Sequence, residues 1–200
     1  MKRLLLYVHG KGGSAKEADH YKPLFPDWDV IGLEYGSETP WEAKDEFSSS
    51  FSGLKSGYGE MRLIANSIGA FFCLHSLGQE KIERAYFVSP IVDMESLIIT
   101  MMEWANVEEK ELEEKKTIAT SFGEELSWEY LSWVRSNPIV WNVPTRILYS
   151  KNDHLQSYGS MKAFSDKYGA ILTAMEGGEH YIHEKEDMEY MDQWMTKGWD

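Results

Sequence analysis

The chain has 200 residues, 42% of them hydrophobic, and a formal net charge of −13. That length and apolar content suit one globular domain with a core of its own. The negative field of such a surface repels polyanions, so neither nucleic acid nor an anionic membrane is expected as a partner.

A single cysteine, Cys73, rules out an internal disulfide and fits a reducing compartment. It falls inside the apolar face of a helix and reads as core filler. The start, Met1 to Val8, imitates a secretory leader, but the apolar run stops at His9-Gly10, too short for one. No stretch approaches transmembrane length. A soluble, cytoplasmic protein is expected.

Taken in order, Arg3 to Val8 is a continuous apolar run, the pattern of a strand buried on both faces. It runs into His9-Gly10-Lys11-Gly12-Gly13-Ser14, a turn with bare backbone N–H groups. A phosphate cradle is one reading. The Walker ending Gly-Lys-Ser/Thr is missing, however, and Ala15 stands where a dinucleotide fingerprint needs its third glycine. A plain strand-to-helix turn is another reading. Ala15 to Leu24 reads as a helix stopped near Pro23 and Pro26, and Trp28 to Glu34 as the second strand. A polar helix, Trp41 to Leu54, leads to the third strand, Glu60 to Asn66. Ile68 to Gly78 is helical, and Glu83 to Ser89 is the fourth strand, closed by Pro90.

Residues 94–142 break the alternation. Met94, Leu97, Ile98, Met101 and Met102 make one helical stripe, and Val107 to Lys116 is a charged helix. Trp104, Trp128, Tyr130, Trp133 and Trp141 crowd the same stretch. It reads as a helical cap within a single domain spanning 1–200, its aromatic core doubling as the roof of a pocket. The fifth strand, Pro144 to Ser150, then leads into Lys151-Asn152-Asp153-His154. Ser157 to Tyr168 is a helix, Ala170 to Glu176 the sixth strand, and Glu184 to Lys197 a last helix after Gly177-Gly178-Glu179-His180.

The expected fold is therefore α/β, an open, mostly parallel sheet of about six strands with helices on both faces. In such a sheet, ligands bind beyond the carboxyl ends of the strands. Gly10, Ser67, Asp153 and His180 each follow a strand, so all four share one edge.

Ala65-Asn66-Ser67-Ile68-Gly69 joins strand to helix with no room for a loop. Small residues on either side of Ser67 let the two backbones approach and thrust its hydroxyl outward. A serine hydroxyl is a weak nucleophile until a neutral imidazole takes its proton and a carboxylate holds that imidazole in one tautomer. Asp153 and His180 supply those groups. Each residue also has a plain reading: a helix cap for Ser67, a turn aspartate for Asp153, a loop histidine for His180. Asp93 and His183 are the rival acid and base, with Asp93 better explained as a helix N-cap. His154, His180 and His183 lack the spacing of a metal site, and neither metal nor cofactor is expected.

The stretch around Ser67 resembles the nucleophile elbow of α/β hydrolases, Gly-x-Ser-x-Gly, with Ala65 in place of the first glycine. The order Ser67, Asp153, His180 is also that family's order. The resemblance covers nearly the whole chain and departs from the family at Ala65 and in lacking its usual first two strands. It implies a serine hydrolase that cleaves an ester through an acyl-serine intermediate, and the aromatic, methionine-rich cap argues for a small to medium, partly apolar substrate. It also implies an oxyanion hole from the backbone N–H groups of Lys11 and Ile68. A thioesterase or amidase on the same residues, or an idle fold used as a binding module, stays open.

Overall fold

A computed structural model of the chain describes residues 2–198. The elements run β1 (Arg3–Val8), a 3₁₀ helix (Ala15–Tyr21), β2 (Asp29–Leu33), α1 (Pro40–Lys55), β3 (Glu60–Asn66), α2 (Ser67–Ser76) and β4 (Arg84–Val88). There follow α3 (Met94–Ala105), α4 (Glu109–Lys115), β5 (Thr117–Ala119), β6 (Glu125–Ser127) and α5 (Trp128–Ser136). The chain closes with β7 (Thr145–Ser150), α6 (Tyr158–Tyr168), β8 (Ile171–Met175) and α7 (Lys185–Thr196).

Six of these strands form one parallel sheet in the order β2-β1-β3-β4-β7-β8. The chain goes outward from β1 to β2, then crosses back over β1 to β3, so the order reverses between β1 and β3. A crevice opens at such a reversal, beyond the carboxyl ends of the two strands. The glycine turn after β1 and the bend after β3 flank it.

Both faces of the sheet are covered by helices. Leu5 and Tyr7 of β1 share a buried cluster with Ala18 and Tyr21 of the 3₁₀ helix and with Met191, Trp194 and Met195 of α7. Alternate residues face the other way, where Val8 packs against Gly69 of α2. Phe72 of α2 meets Phe47 of α1 edge-on at 6.1 Å. Leu4, Leu5 and Leu6 are all fully buried, each worth about 1.5–3 kcal/mol of apolar transfer. Helix starts are set by capping. Thr39 accepts from the Glu42 N–H with Pro40 in the first turn, and Ser157 accepts from the Ser160 N–H.

Two segments differ from the sequence reading in detail. Ala15–Tyr21 is a 3₁₀ helix; three residues per turn put Ala18 and Tyr21 on one line, and both are buried against the sheet. The expected helical cap holds a small antiparallel hairpin, β5 with β6. The chain also divides into two compact units, one built from the chain up to Val92 and from Val140 onward, the other Asp93–Ile139. Trp141 thus belongs to the first unit, packed on Phe87 with its indole N–H donating to Thr145 Oγ1 at 2.7 Å. Within Asp93–Ile139, the Arg135 guanidinium binds Glu95 at 2.7 Å and Glu109 at 2.6 and 2.9 Å, tying α3, α4 and α5 together. Among the described residues, no helix is long and apolar enough to cross a membrane.

Burial, reinforced by the charge of Lys44, pushes the His75 imidazole down from its ordinary 6.5 to about 4. Its ring lies against Phe71 at 4.6 Å. Between those two pH values the unfolded chain binds a proton that the folded chain does not, so stability rises with pH there. The contribution, on the order of 3 kcal/mol, is complete above about pH 6.5 and lost as pH falls toward 4. Urea midpoints measured across that range should fall less steeply in His75→Gln than in the wild type. Parallel slopes would show that His75 is not the group responsible.

Candidate active site

Ser67 stands where β3 becomes α2 without an intervening residue. Its φ of +51° is left-handed, a conformation that costs a residue with a side chain on the order of 1–3 kcal/mol. Several contacts hold it there. β3 is paired on both sides, with β1 and β4. The Ser67 carbonyl accepts the Ile91 N–H at 3.1 Å. Gly69 lies so close to the His9 carbonyl oxygen that a methyl group could not be accommodated. Ala65, fully buried in β3, is paired with Val8 and Phe87 and keeps ordinary strand geometry. Nothing at that position requires the glycine found in the motif.

The Ser67 hydroxyl lies 2.7 Å from His180 Nε2, and His180 Nδ1 lies 2.8 Å from Asp153 Oδ2. Three residues from three strand ends thus form one hydrogen-bonded chain. The Asp153 side chain is wholly buried and that of His180 is 12% exposed. A buried carboxylate must have its oxygens satisfied. Oδ1 accepts the N–H groups of Leu155 at 2.8 Å and Gln156 at 3.2 Å, which leaves Oδ2 for the imidazole. With Oδ2 as acceptor, Nδ1 carries the proton and Nε2 presents a lone pair to Ser67. His180 returns to the sheet edge because Gly177 and Gly178 are both left-handed, with φ of +69° and +68°. Gly178 also packs too tightly against Met175 and Ser150 to carry a side chain without displacing them.

Ile68 is in the first turn of α2, whose leading N–H groups have no partners within the helix. Lys11 sits in a turn closed by the Gly13 N–H donating to the Gly10 carbonyl at 3.1 Å, with Gly12 left-handed at φ +74°. Gly10 approaches Ser67 so closely that an added Cβ would lie 3.0 Å from Ser67 Cβ. The turn and the serine are therefore in van der Waals contact.

The rival residues lie elsewhere. His183 is exposed, with Nδ1 facing the Tyr181 carbonyl at 2.9 Å and Nε2 lying 3.3 Å from Glu184. Asp93 accepts the Ser96 N–H at 3.0 Å as the N-cap of α3. Among the described residues, no group of three or more His, Cys, Asp or Glu is arranged to hold a metal ion.

Two supporting positions carried no sequence signal. Ser89, buried at the end of β4, is left-handed at φ +43°, two residues before the Ile91 N–H that meets Ser67. Gln156, also buried, accepts the Val92 N–H at 3.0 Å and so ties the Asp153 loop to the chain after β4. Serine before proline and glutamine in a loop are ordinary in any sequence.

No family model and no curated protein matches the chain. Solved structures do. Est1E from Butyrivibrio proteoclasticus superposes with a TM-score of 0.72 at 17% identity, covering 97% of this chain and 87% of its own. The mouse alpha/beta hydrolase domain-containing protein 10 gives 0.71 at 14% identity, covering 96% and 87%. An esterase from Pyrococcus furiosus gives 0.66 at 17% identity, covering 97% and 80%. The chain has the α/β-hydrolase fold. Ser67 stands at the bend between strand and helix, on a sheet of six parallel strands among the described residues.

The tight seat of Gly69 gives a direct test of the elbow. Gly69→Ala must push α2 away from the end of β1, at a cost on the order of 1–3 kcal/mol. A thermal melt should show a midpoint several degrees lower. An unchanged midpoint would mean that the two backbones are not in contact.

Proposed function

We propose that this protein is a serine hydrolase that cleaves carboxylic esters of small to medium, partly apolar substrates through an acyl-serine intermediate. The observation that carries this reading is the Ser67–His180–Asp153 hydrogen-bonded chain, built on a serine held at φ +51°.

In this mechanism His180 Nε2 takes the Ser67 proton as Oγ attacks the ester carbonyl carbon. Asp153 keeps Nδ1 protonated and stabilises the imidazolium that forms. The tetrahedral oxyanion accepts hydrogen bonds from the backbone N–H groups of Ile68 and Lys11; donors of this kind are each worth about 3–4 kcal/mol of barrier. Collapse of the intermediate expels the alkoxide, which leaves as the alcohol with the proton held by His180. Water, deprotonated by the same imidazole, then attacks the acyl-serine and releases the carboxylic acid. The substrate class follows the methionine- and tryptophan-rich composition of Asp93–Ile139. Est1E, one of the structural neighbours, has been seen with ferulic acid bound, so feruloyl esters belong beside p-nitrophenyl esters in a first panel.

Steady-state kinetics on that panel test the assignment. Ser67→Ala should lower turnover on the order of a millionfold. Asp153→Asn should lower it by about four orders of magnitude, because the imidazole then settles in the wrong tautomer. His180→Ala should be as inactive as Ser67→Ala, and His183→Ala should turn over like the wild type. Retention of more than about a per cent of activity in Ser67→Ala would contradict the mechanism.

A further inference from the structure

Beneath the elbow lies a second polar chain. Tyr7, fully buried in β1, donates its hydroxyl proton to Glu17 Oε2. The same phenol oxygen accepts from Asn66 Nδ2 at 3.0 Å. The other oxygen of Glu17, Oε1, accepts the Ser14 N–H at 2.9 Å, at the end of the glycine turn. Gly13 is packed against that same carboxylate. Asn66 is the residue before Ser67 and stands at the N-cap position of α2, yet it makes no side-chain cap bond. Its amide is turned down to Tyr7.

The proton order in this chain is set by chemistry. An ionised carboxylate only accepts, so Tyr7 must donate to Glu17 and can only accept from Asn66. Burial, with the neighbouring Glu17 carboxylate, holds the Tyr7 hydroxyl well above the ordinary tyrosine range, so it stays a phenol. One carboxylate therefore grips the turn on one side and, through Tyr7, the residue before the serine on the other. The Tyr7–Glu17 contact is what joins the 3₁₀ helix, and with it the glycine turn, to the paired strands β1 and β3.

We propose that Glu17, Tyr7 and Asn66 are positioning residues that set the glycine turn against Ser67, so that the turn's N–H groups meet the developing oxyanion. The proposal rests on the hydrolytic reading of Ser67. None of the three touches substrate. They act on the transition state, whose oxygen must lie within hydrogen-bond reach of both the turn and Ile68, and a misplacement of about 1 Å can cost on the order of a hundredfold in rate. Asn66, by giving its amide to Tyr7, also leaves the first N–H groups of α2 without a side-chain cap.

The test uses the intact protein and three variants, with p-nitrophenyl acetate as substrate and an alkyl boronic acid as the tetrahedral analogue. Tyr7→Phe keeps shape and burial and removes only the shared hydroxyl. Its kcat should fall roughly ten- to a hundredfold, with KM within about twofold of wild type. Boronate affinity should fall in proportion to kcat/KM, because the analogue needs the same oxyanion donors. Glu17→Gln keeps an acceptor for Ser14 and a polar partner for Tyr7, so it should recover most of the rate that Glu17→Ala loses. Wild-type kcat in Tyr7→Phe would overturn the proposal. So would a rate loss that follows a lowered melting midpoint while boronate affinity stays unchanged, the mark of a purely structural role. A wild-type protein that neither hydrolyses the ester nor binds the boronate would remove the hydrolytic reading, and this proposal with it.

Discussion

The site depends on one backbone angle, the left-handed φ of Ser67. A residue with a side chain adopts that conformation only where its surroundings leave no alternative. Here β3 is fixed by parallel pairing on both edges, and α2 must start at once. The helix is anchored by four consecutive buried residues, Phe71 to Leu74. Gly69 allows its first turn to touch the end of β1, and the Ile91 N–H holds the Ser67 carbonyl. Strain at one residue is thus offset by burial spread over two strands and a helix. The result is a hydroxyl placed at the topological reversal of the sheet, in contact with the glycine turn.

The acid and base face a different constraint. A carboxylate wholly removed from water is unfavourable unless its lone pairs are filled. Two backbone N–H groups fill one oxygen of Asp153, and only His180 is left for the other. The same arrangement that makes the buried charge tolerable therefore orients the imidazole. Gln156 carries this loop's position over to Val92, and the two left-handed glycines turn the chain that presents His180. Rigidity on both sides of the Ser67–His180 bond is what a preorganised proton transfer requires.

Much of this was legible in the sequence, for identifiable reasons. Continuous apolar runs such as Leu4 to Val8 announce strands buried on both faces, and small residues around Ser67 announce a bend with no room for a loop. Because a parallel sheet gathers its strand ends at one edge, Asp153 and His180 could be placed beside Ser67 from their positions alone. The Glu17–Tyr7–Asn66 chain was hidden because Tyr7 reads as one more apolar strand residue, and its hydroxyl acts only once the 3₁₀ helix brings Glu17 over it. The sequence shows a helix there but not its type, since 3₁₀ and α segments differ in hydrogen bonding more than in composition. The β5–β6 hairpin escaped because each strand has three residues, too few to show alternation. Trp141 reads as part of the insertion because of its tryptophan neighbours in sequence, whereas its partners are Phe87 and Thr145.

The central claim is that Ser67 is a nucleophile activated by His180. A fluorophosphonate reacts far faster with a serine whose proton is being removed than with an ordinary one, so the most direct measurement is covalent labelling of the intact protein followed by peptide mapping. The account predicts one adduct on the tryptic peptide Leu63–Lys81, localised by fragmentation to Ser67 and not to Ser76, and no adduct in His180→Ala. An unlabelled wild-type protein, or an adduct on any other residue, would contradict it.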